Sequence, residues 1–397
     1  MKWNSPGNEL ETEYLKISDK YENKKIYIYG AGIVGGRVFD SVSSLTDWEV
    51  AGFFDKDSSK KSYKGIPVYH RSQMSEILKN YPDSMILLGL LDSLGKKIKD
   101  EIAKECGISS QRCVLYEEFI RYEFPVIMLC KYEKVFLDTV TMIVTERCTL
   151  RCKKCSIMLP YFKSIKEFPF EKLKKEADAF FHMVDFVGNY TLTGGEPLLN
   201  KELPQIVEYI GQNYRDKVGS FQFITNGMLS PNEELLLLIK KYDIAIQVSD
   251  YTKAVPSIKD KVLENIKKYR EHGINVDFLC NAEWVDFGFE SVEHDMSEEQ
   301  LIAFFDYCRT RCRGYVDGKI RYCINAYFAA KALEKEEDDN NFFDIINLEQ
   351  NMEQKRMLVE FDLGYNKDGY LSMCKHCNGT CEINKHFIEV GEQWENH

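Results

Sequence analysis

Thr139-Val140-Thr141-Met142-Ile143-Val144-Thr145 (TVTMIVT) runs without a break into Glu146-Arg147-Cys148-Thr149-Leu150-Arg151-Cys152-Lys153-Lys154-Cys155. The first seven residues are rich in β-branched side chains and read as a strand. The loop that follows sets three thiols in a C-x3-C-x2-C arrangement. A cubane iron–sulfur cluster has four irons, so three thiolates on one short loop leave one iron open to a small chelating ligand. A structural zinc site or buried apolar thiols are the alternatives, although zinc wants a nearby fourth ligand and no histidine lies close.

Outward from this stretch, strands and helix-length segments alternate. Tyr190 to Thr193, Phe221 to Thr225 (FQFIT), Ile244 to Ser249 (IAIQVS) and Asn275 to Cys280 (NVDFLC) read as strands, separated by segments such as Phe170 to Val184 and Pro231 to Tyr242. The pattern predicts a partial (β/α)6 TIM-type barrel over residues 137–300, with its reactive groups at the carboxyl ends of the strands. An earlier alternation fills residues 24–120. KIYIY (25–29), WEVAGFFD (48–55), MILLGLL (85–91) and the short Val114-Leu115 predict a parallel, Rossmann-like sheet. Residues 1–23 are polar with no clear period and read as a helical or loose leader. Residues 301–397 form an irregular, cysteine-rich extension with an acidic spacer, EKEEDDNN, at 334–341. The fold class expected is therefore α/β throughout.

Composition narrows the function classes. The 397 residues carry 52 Lys+Arg against 63 Asp+Glu, a formal charge of −11 that argues against a sequence-independent grip on nucleic acid or an anionic membrane. The 44% hydrophobic and 29% charged fractions are those of a globular protein. No uninterrupted apolar run approaches the ~18 residues of a membrane span, and MKWNSPGNELETEYLK has acids where a secretory signal has an apolar core, so a cytoplasmic protein is expected. Thirteen cysteines in a reducing compartment point to free thiols or metal ligands rather than disulfides.

The cysteine triplet at a strand end resembles the radical SAM superfamily, over roughly residues 137–300. That resemblance implies that Cys148, Cys152 and Cys155 hold a [4Fe-4S] cluster whose open iron is chelated by S-adenosylmethionine, and that one electron then releases a 5′-deoxyadenosyl radical. Lys154 stands where the family often has an aromatic residue. A second match follows the next strand, where Thr191-Leu192-Thr193 runs into Gly194-Gly195-Glu196-Pro197. It resembles the family's GGEP segment, which implies that Gly194, Gly195 and Glu196 bind the methionine ammonium. Taken alone, the string is also a turn. Thr225-Asn226 and Ser249-Asp250 close later strands, and each is explained either by contact with S-adenosylmethionine or by loop capping. Arg151, Lys153 and Lys154 make the cluster loop basic, which suits an acidic electron donor such as a flavodoxin or ferredoxin or is simply a solvated face.

Cys308, Cys312 and Cys323, then Cys374-Lys375-His376-Cys377 and Cys381, resemble the SPASM and twitch extensions that ligate auxiliary iron–sulfur clusters. Six thiols complete one cubane and not two, so one auxiliary [4Fe-4S] cluster is expected. Cys323, Cys374 and Cys377 are the firmer ligands, and Cys308 competes with Cys312 and Cys381 for the fourth place. A zinc knuckle is the alternative, because C-x2-C is also a zinc spacing. Such a cluster would exchange an electron with a substrate radical.

Gly30-x-Gly32-x-x-Gly35 lies between a predicted strand and helix, with Asp55 at the end of the next strand. This is the context in which glycines make a tight turn, a helix amino terminus holds phosphate and a carboxylate meets ribose hydroxyls. The segment resembles the amino-terminal domains of bacterial sugar-modifying enzymes. Its ligand is then a nucleotide handle on the substrate or an NAD cofactor, unless its role is purely structural. Together these readings predict a radical SAM enzyme that abstracts hydrogen from a carbohydrate or nucleotide-linked sugar, ending in dehydrogenation or epimerisation. Cys280 is a candidate hydrogen donor for the second outcome, or else a small core residue. A maturase acting on a ribosomal peptide and a non-catalytic iron–sulfur carrier or sensor are the alternatives.

Overall fold

The computed structural model describes every residue except 309, 311, 347, 381, 382 and 395–397, and the backbone alone of residue 92. The leader is a helix, Glu9–Tyr21, rather than a loose segment. It is tied down at its start: the Glu360 carboxylate accepts hydrogen bonds from the N–H groups of Gly7 and Glu9 and from the Trp3 indole, each at 2.7–2.9 Å.

Six strands make the first sheet: β1 Ile26–Tyr29, β2 Val50–Asp55, β3 Ser62–Tyr63, β4 Ile66–His70, β5 Met85–Leu88 and β6 Cys113–Leu115. Their order is β3-β4-β2-β1-β5-β6, parallel except for the β3–β4 pair. β1 and β5 are buried on both faces, as a central parallel strand must be. The β3–β4 hairpin lies in a polar stretch, SYKGIPVYH, that carries no strand-like alternation.

The second sheet holds β7 Phe136–Thr145, β8 Phe186–Gly194, β9 Val218–Thr225, β10 Ile244–Ser249 and β11 Val276–Leu279, each parallel to the next. Amphipathic helices link them. Phe170–Met183 buries Leu173, Glu176, Ala177, Phe180 and Phe181, the stripe of a 3.6-residue period. Glu233–Lys241 is capped by the Asn232 side chain, with acids in its first turn and lysines in its last. β12 Glu283–Val285 leaves this sheet and pairs with β16 Phe387–Glu389.

The sixth parallel strand comes from the cysteine-rich extension. β13 Arg313–Val316 adds to the free edge of β7, followed by antiparallel β14 Lys319–Arg321 and β15 Phe342–Asp344. The barrel is thus completed from beyond residue 300.

Phe136 and Phe186, the first residues of β7 and β8, lie in the same apolar core as Ile26, Ile28, Phe53 and Phe124. The front domain therefore sits against the amino ends of the barrel strands, and helix Ile33–Leu45 lies against β8 and β9. The cysteine loop begins beyond Thr145. Nine residue-to-residue steps along β7, roughly 30 Å at ~3.3 Å each, separate the two ends.

Candidate active site

β7 delivers the cysteine loop to the carboxyl end of the barrel. Cys148, Cys152 and Cys155 all line one cavity of about 410 Å³, together with Gly194, Gly195, Thr225, Asn226 and Ser249. Four segments distant in sequence thus converge where barrel chemistry is done. Burial pushes the Cys148 thiol up to about 11 and the Cys152 thiol up to about 12, and it raises Cys155 as well. Such thiols ionise readily only against the positive charge of a metal, so loading this loop expels protons. Among the described residues no three His, Cys, Asp or Glu side chains converge on a point that fits a single metal ion. The thiolates of a cubane each bind a different iron and stand further apart, and the three cysteines around one cavity fit that group.

The two glycines are required by close approach. A Cβ on Gly194, whose φ is +155°, would lie 2.0 Å from the Thr145 carbonyl oxygen, and one on Gly195 would lie 2.1 Å from that of Arg147. Without side chains, the Gly195 and Glu196 N–H groups donate to those same carbonyls at 3.0 and 2.7 Å. The end of β8 is thereby sewn to the cysteine loop.

Glu196 is placed differently from the expectation. It is fully buried, and its carboxylate accepts from Leu198 N–H, the Thr225 hydroxyl and Asn226 N–H at 3.2, 2.8 and 2.8 Å. Burial raises its pKa to about 7, against the lowering effect of those three donors. Its oxygens fix the end of β9 and are not on the cavity wall. Asn226 in turn donates to Thr149 Oγ1 at 2.9 Å and stands 3.8 Å from Cys148 Sγ.

Cys280 is exposed at the end of β11 beside Asp250, outside the cavity lining, and is not a core residue. The basic character of the loop is largely compensated. Lys153 pairs with Glu392 at 2.5 Å, and Lys154 pairs with Asp286 and Glu290 at 3.1 and 3.3 Å. Glu146, with a fully buried side chain, is held by Lys331 at 2.6 Å from helix Ile324–Ala332, which ties the loop to the extension.

In the extension, Cys308 ends helix Glu298–Cys308, Cys323 caps helix Ile324–Ala332, and Cys374 and Cys377 lie on and just after the turn Ser372–His376. These four are close enough to perturb one another electrostatically. Cys312 points elsewhere, its sulfur 2.8 Å from the Thr141 hydroxyl on β7. Cys381 lies outside the described residues. Ile324 and Asn325, the two residues after Cys323, line the cavity.

Several site residues carry no sequence signal of their own. Tyr251, half-buried beside all three loop cysteines, follows the β10 end residues Ser249-Asp250. Trp284 and Phe287 reach the cavity from β12 and the loop after it.

In the front domain, a Cβ on Gly35 would lie 1.9 Å from the Gly30 carbonyl oxygen, so the glycines do build the tight turn. Asp55 is already engaged, accepting from Ala31 N–H at 2.9 Å and from Lys60 at 3.0 Å. Burial works against its charge, but the Asp57 and Ala31 amides and Lys60 hold it below the usual carboxylate range. Lys60 also bonds the Ala31 carbonyl, and the Tyr63 hydroxyl bonds that of Gly32.

The sequence matches the radical SAM superfamily over residues 142–285 and the PglD N-terminal domain over residues 25–90. Residues 142–285 are a radical SAM domain. The cofactors that belong to it are a [4Fe-4S] cluster and S-adenosylmethionine. Among curated proteins, the chain is similar to GTP 3′,8-cyclase of Campylobacter jejuni (strain RM1221), 25% identical over 42% of this chain and 51% of that protein. The match spans about half the length of that relative. Among solved structures it is similar to BtrN in complex with AdoMet and 2-DOIA, with 16% identity, a TM-score of 0.38, and coverage of 64% of this chain and all of that one. It is also similar to native anSMEcpe with bound AdoMet, with 13% identity, a TM-score of 0.39, and coverage of 54% of this chain and 80% of that one. No helix among the described residues is long and apolar enough to cross a membrane.

Proposed function

We propose that this protein is a radical SAM enzyme that removes a hydrogen atom from a carbohydrate or nucleotide-linked sugar and completes a dehydrogenation. When bound, the cluster and S-adenosylmethionine supply a 5′-deoxyadenosyl radical. The chain's part is to hold and shield them: three thiols on one loop, a glycine pair that lets β8 close on it, and a mixed wall of Thr141, Gln247, Asn325, Trp284 and Phe287 for the substrate. Amide and hydroxyl groups beside aromatic faces suit the hydroxyls and C–H faces of a sugar.

The observation that carries the oxidative reading is that Cys323 immediately precedes Ile324 and Asn325, two residues of the cavity wall. A substrate radical that ends as a ketone must give up a second electron, and an auxiliary [4Fe-4S] cluster on Cys308, Cys323, Cys374 and Cys377 would stand at the wall to receive it. Cys280, exposed and away from the cavity, gives no support to hydrogen return and hence to epimerisation. The front domain's glycine turn lies at the other end of the strands, so the nucleotide handle of a sugar reacting in the cavity is not held there by the same chain. The compensated loop charges leave shape rather than net charge to guide a flavodoxin- or ferredoxin-type donor.

The test is anaerobic turnover with sugars and nucleotide-linked sugars deuterated at their C–H positions. Deuterium appearing in 5′-deoxyadenosine together with a two-electron-oxidised sugar supports the reading. Transfer only from peptide substrates assigns the chain to the peptide-modifying alternative.

A further inference from the structure

The segment Gly391–Trp394 crosses the cysteine loop as an antiparallel strap. Lys153 N–H donates to the Glu392 carbonyl at 2.7 Å, Trp394 N–H donates to that of Arg151 at 2.9 Å, and Cys152 and Gln393 face each other in an isolated bridge. Three contacts set the path of the strap. β16 is anchored on β12 just before it. Gly391 packs against the Tyr251 ring, where a Cβ would come within 2.6 Å. Trp394 meets Tyr161 edge-on at 5.7 Å.

At the centre, the Gln393 side chain is held at both ends. Its Oε1 accepts from Arg151 N–H at 2.8 Å, and its Nε2 donates to the Gly391 carbonyl at 2.5 Å and to Cys152 Sγ at 3.2 Å. An amide clamped this way has no freedom to turn its oxygen toward the sulfur. Cys152 is also the one buried member of the triplet, at 7% exposure.

We propose that Gln393 is a positioning residue for the loop cluster, its amide N–H donating to the Cys152 sulfur so that the cluster accepts an electron more readily while the strap keeps water from that sulfur. A donor to a thiolate withdraws negative charge and favours the reduced, more negative cluster. The inference rests on the reading of Cys152 as a cluster ligand.

The experiment poises the anaerobic holoenzyme at a series of potentials and follows the EPR signal that changes when S-adenosylmethionine is added, which separates the loop cluster from any auxiliary one. Gln393→Met removes the donor without adding charge. Gln393→Glu keeps the acceptor for Arg151 N–H and has no donor for sulfur. Both variants are expected to hold as much iron as wild type and to need a more negative potential for half reduction. A potential unchanged in both overturns the role of Gln393. The absence of any S-adenosylmethionine-sensitive signal in the wild-type protein overturns the reading beneath it. If Gln393→Met loses iron while Gln393→Glu keeps both iron and potential, the residue is only a structural clamp, and the inference again fails.

Discussion

Among the cysteines, direction decides what spacing leaves open. Cys308 and Cys312 both suit the sequence pattern of an auxiliary site, but only Cys308 turns toward Cys323, Cys374 and Cys377, while Cys312 bonds Thr141. Iron analysis of anaerobically reconstituted protein should give about eight irons per chain in wild type and in Cys312→Ser, and about four in Cys374→Ala. A loss in Cys312→Ser equal to that in Cys374→Ala would exchange the two roles. The loop cysteines and the glycine pair were legible because their chemistry is contiguous: one strand end, one turn, one spacing. Gln393 was not legible, since it reaches Cys152 across 241 positions and nothing local marks a glutamine as a thiol's partner. Glu196 shows the opposite failure, a residue in a telling motif whose oxygens serve the neighbouring strand.

Among the elements, the alternation that betrays a barrel was readable from β7 to β11 because an amphipathic helix stands between each strand and the next. β13 was hidden. It is four residues long, RGYV, lies in a cysteine-bearing stretch with no flanking period, and becomes a strand by pairing with β7 on one side and β14 on the other. The turn after it is held by charge: Asp317 pairs with Lys166 at 2.6 Å and Lys172 at 3.0 Å. Burial opposes its ionisation, but the two lysines hold the Asp317 pKa at about 2, below the ordinary 3.8. Because the folded value is the lower one, this stabilisation is complete above about pH 4 and is lost as pH falls toward 2. The shift corresponds to at most ~2.4 kcal/mol, and partial exposure brings it to about 1–2 kcal/mol. Asp317→Asn should therefore lower the urea midpoint at pH 7, and the gap to wild type should narrow by roughly half as the pH is taken to 3. A gap independent of pH would show that packing, not charge, is what the aspartate contributes.

For the whole molecule, the sequence suggests a leader, a front domain, a barrel and a cysteine-rich extension, whereas the way these segments meet could not be read from it. The front domain shares its core with the first residues of β7 and β8, and the strap and β13 carry the extension back over the barrel. Contacts between residues hundreds of positions apart leave no periodic trace. The placement has a consequence: Gly35→Ala, which forces a methyl group onto the Gly30 carbonyl, should lower the melting temperature yet leave S-adenosylmethionine cleavage per iron-loaded chain unchanged. A matching loss of cleavage would mean that the front domain acts on the cavity across the full length of the strands.

The most direct measurement is 5′-deoxyadenosine release from S-adenosylmethionine by the anaerobically reduced protein, set against Cys152→Ala chains of equal fold by circular dichroism. The account predicts release by wild type and none by the variant. A folded Cys152→Ala protein that still releases 5′-deoxyadenosine at the wild-type rate would contradict it.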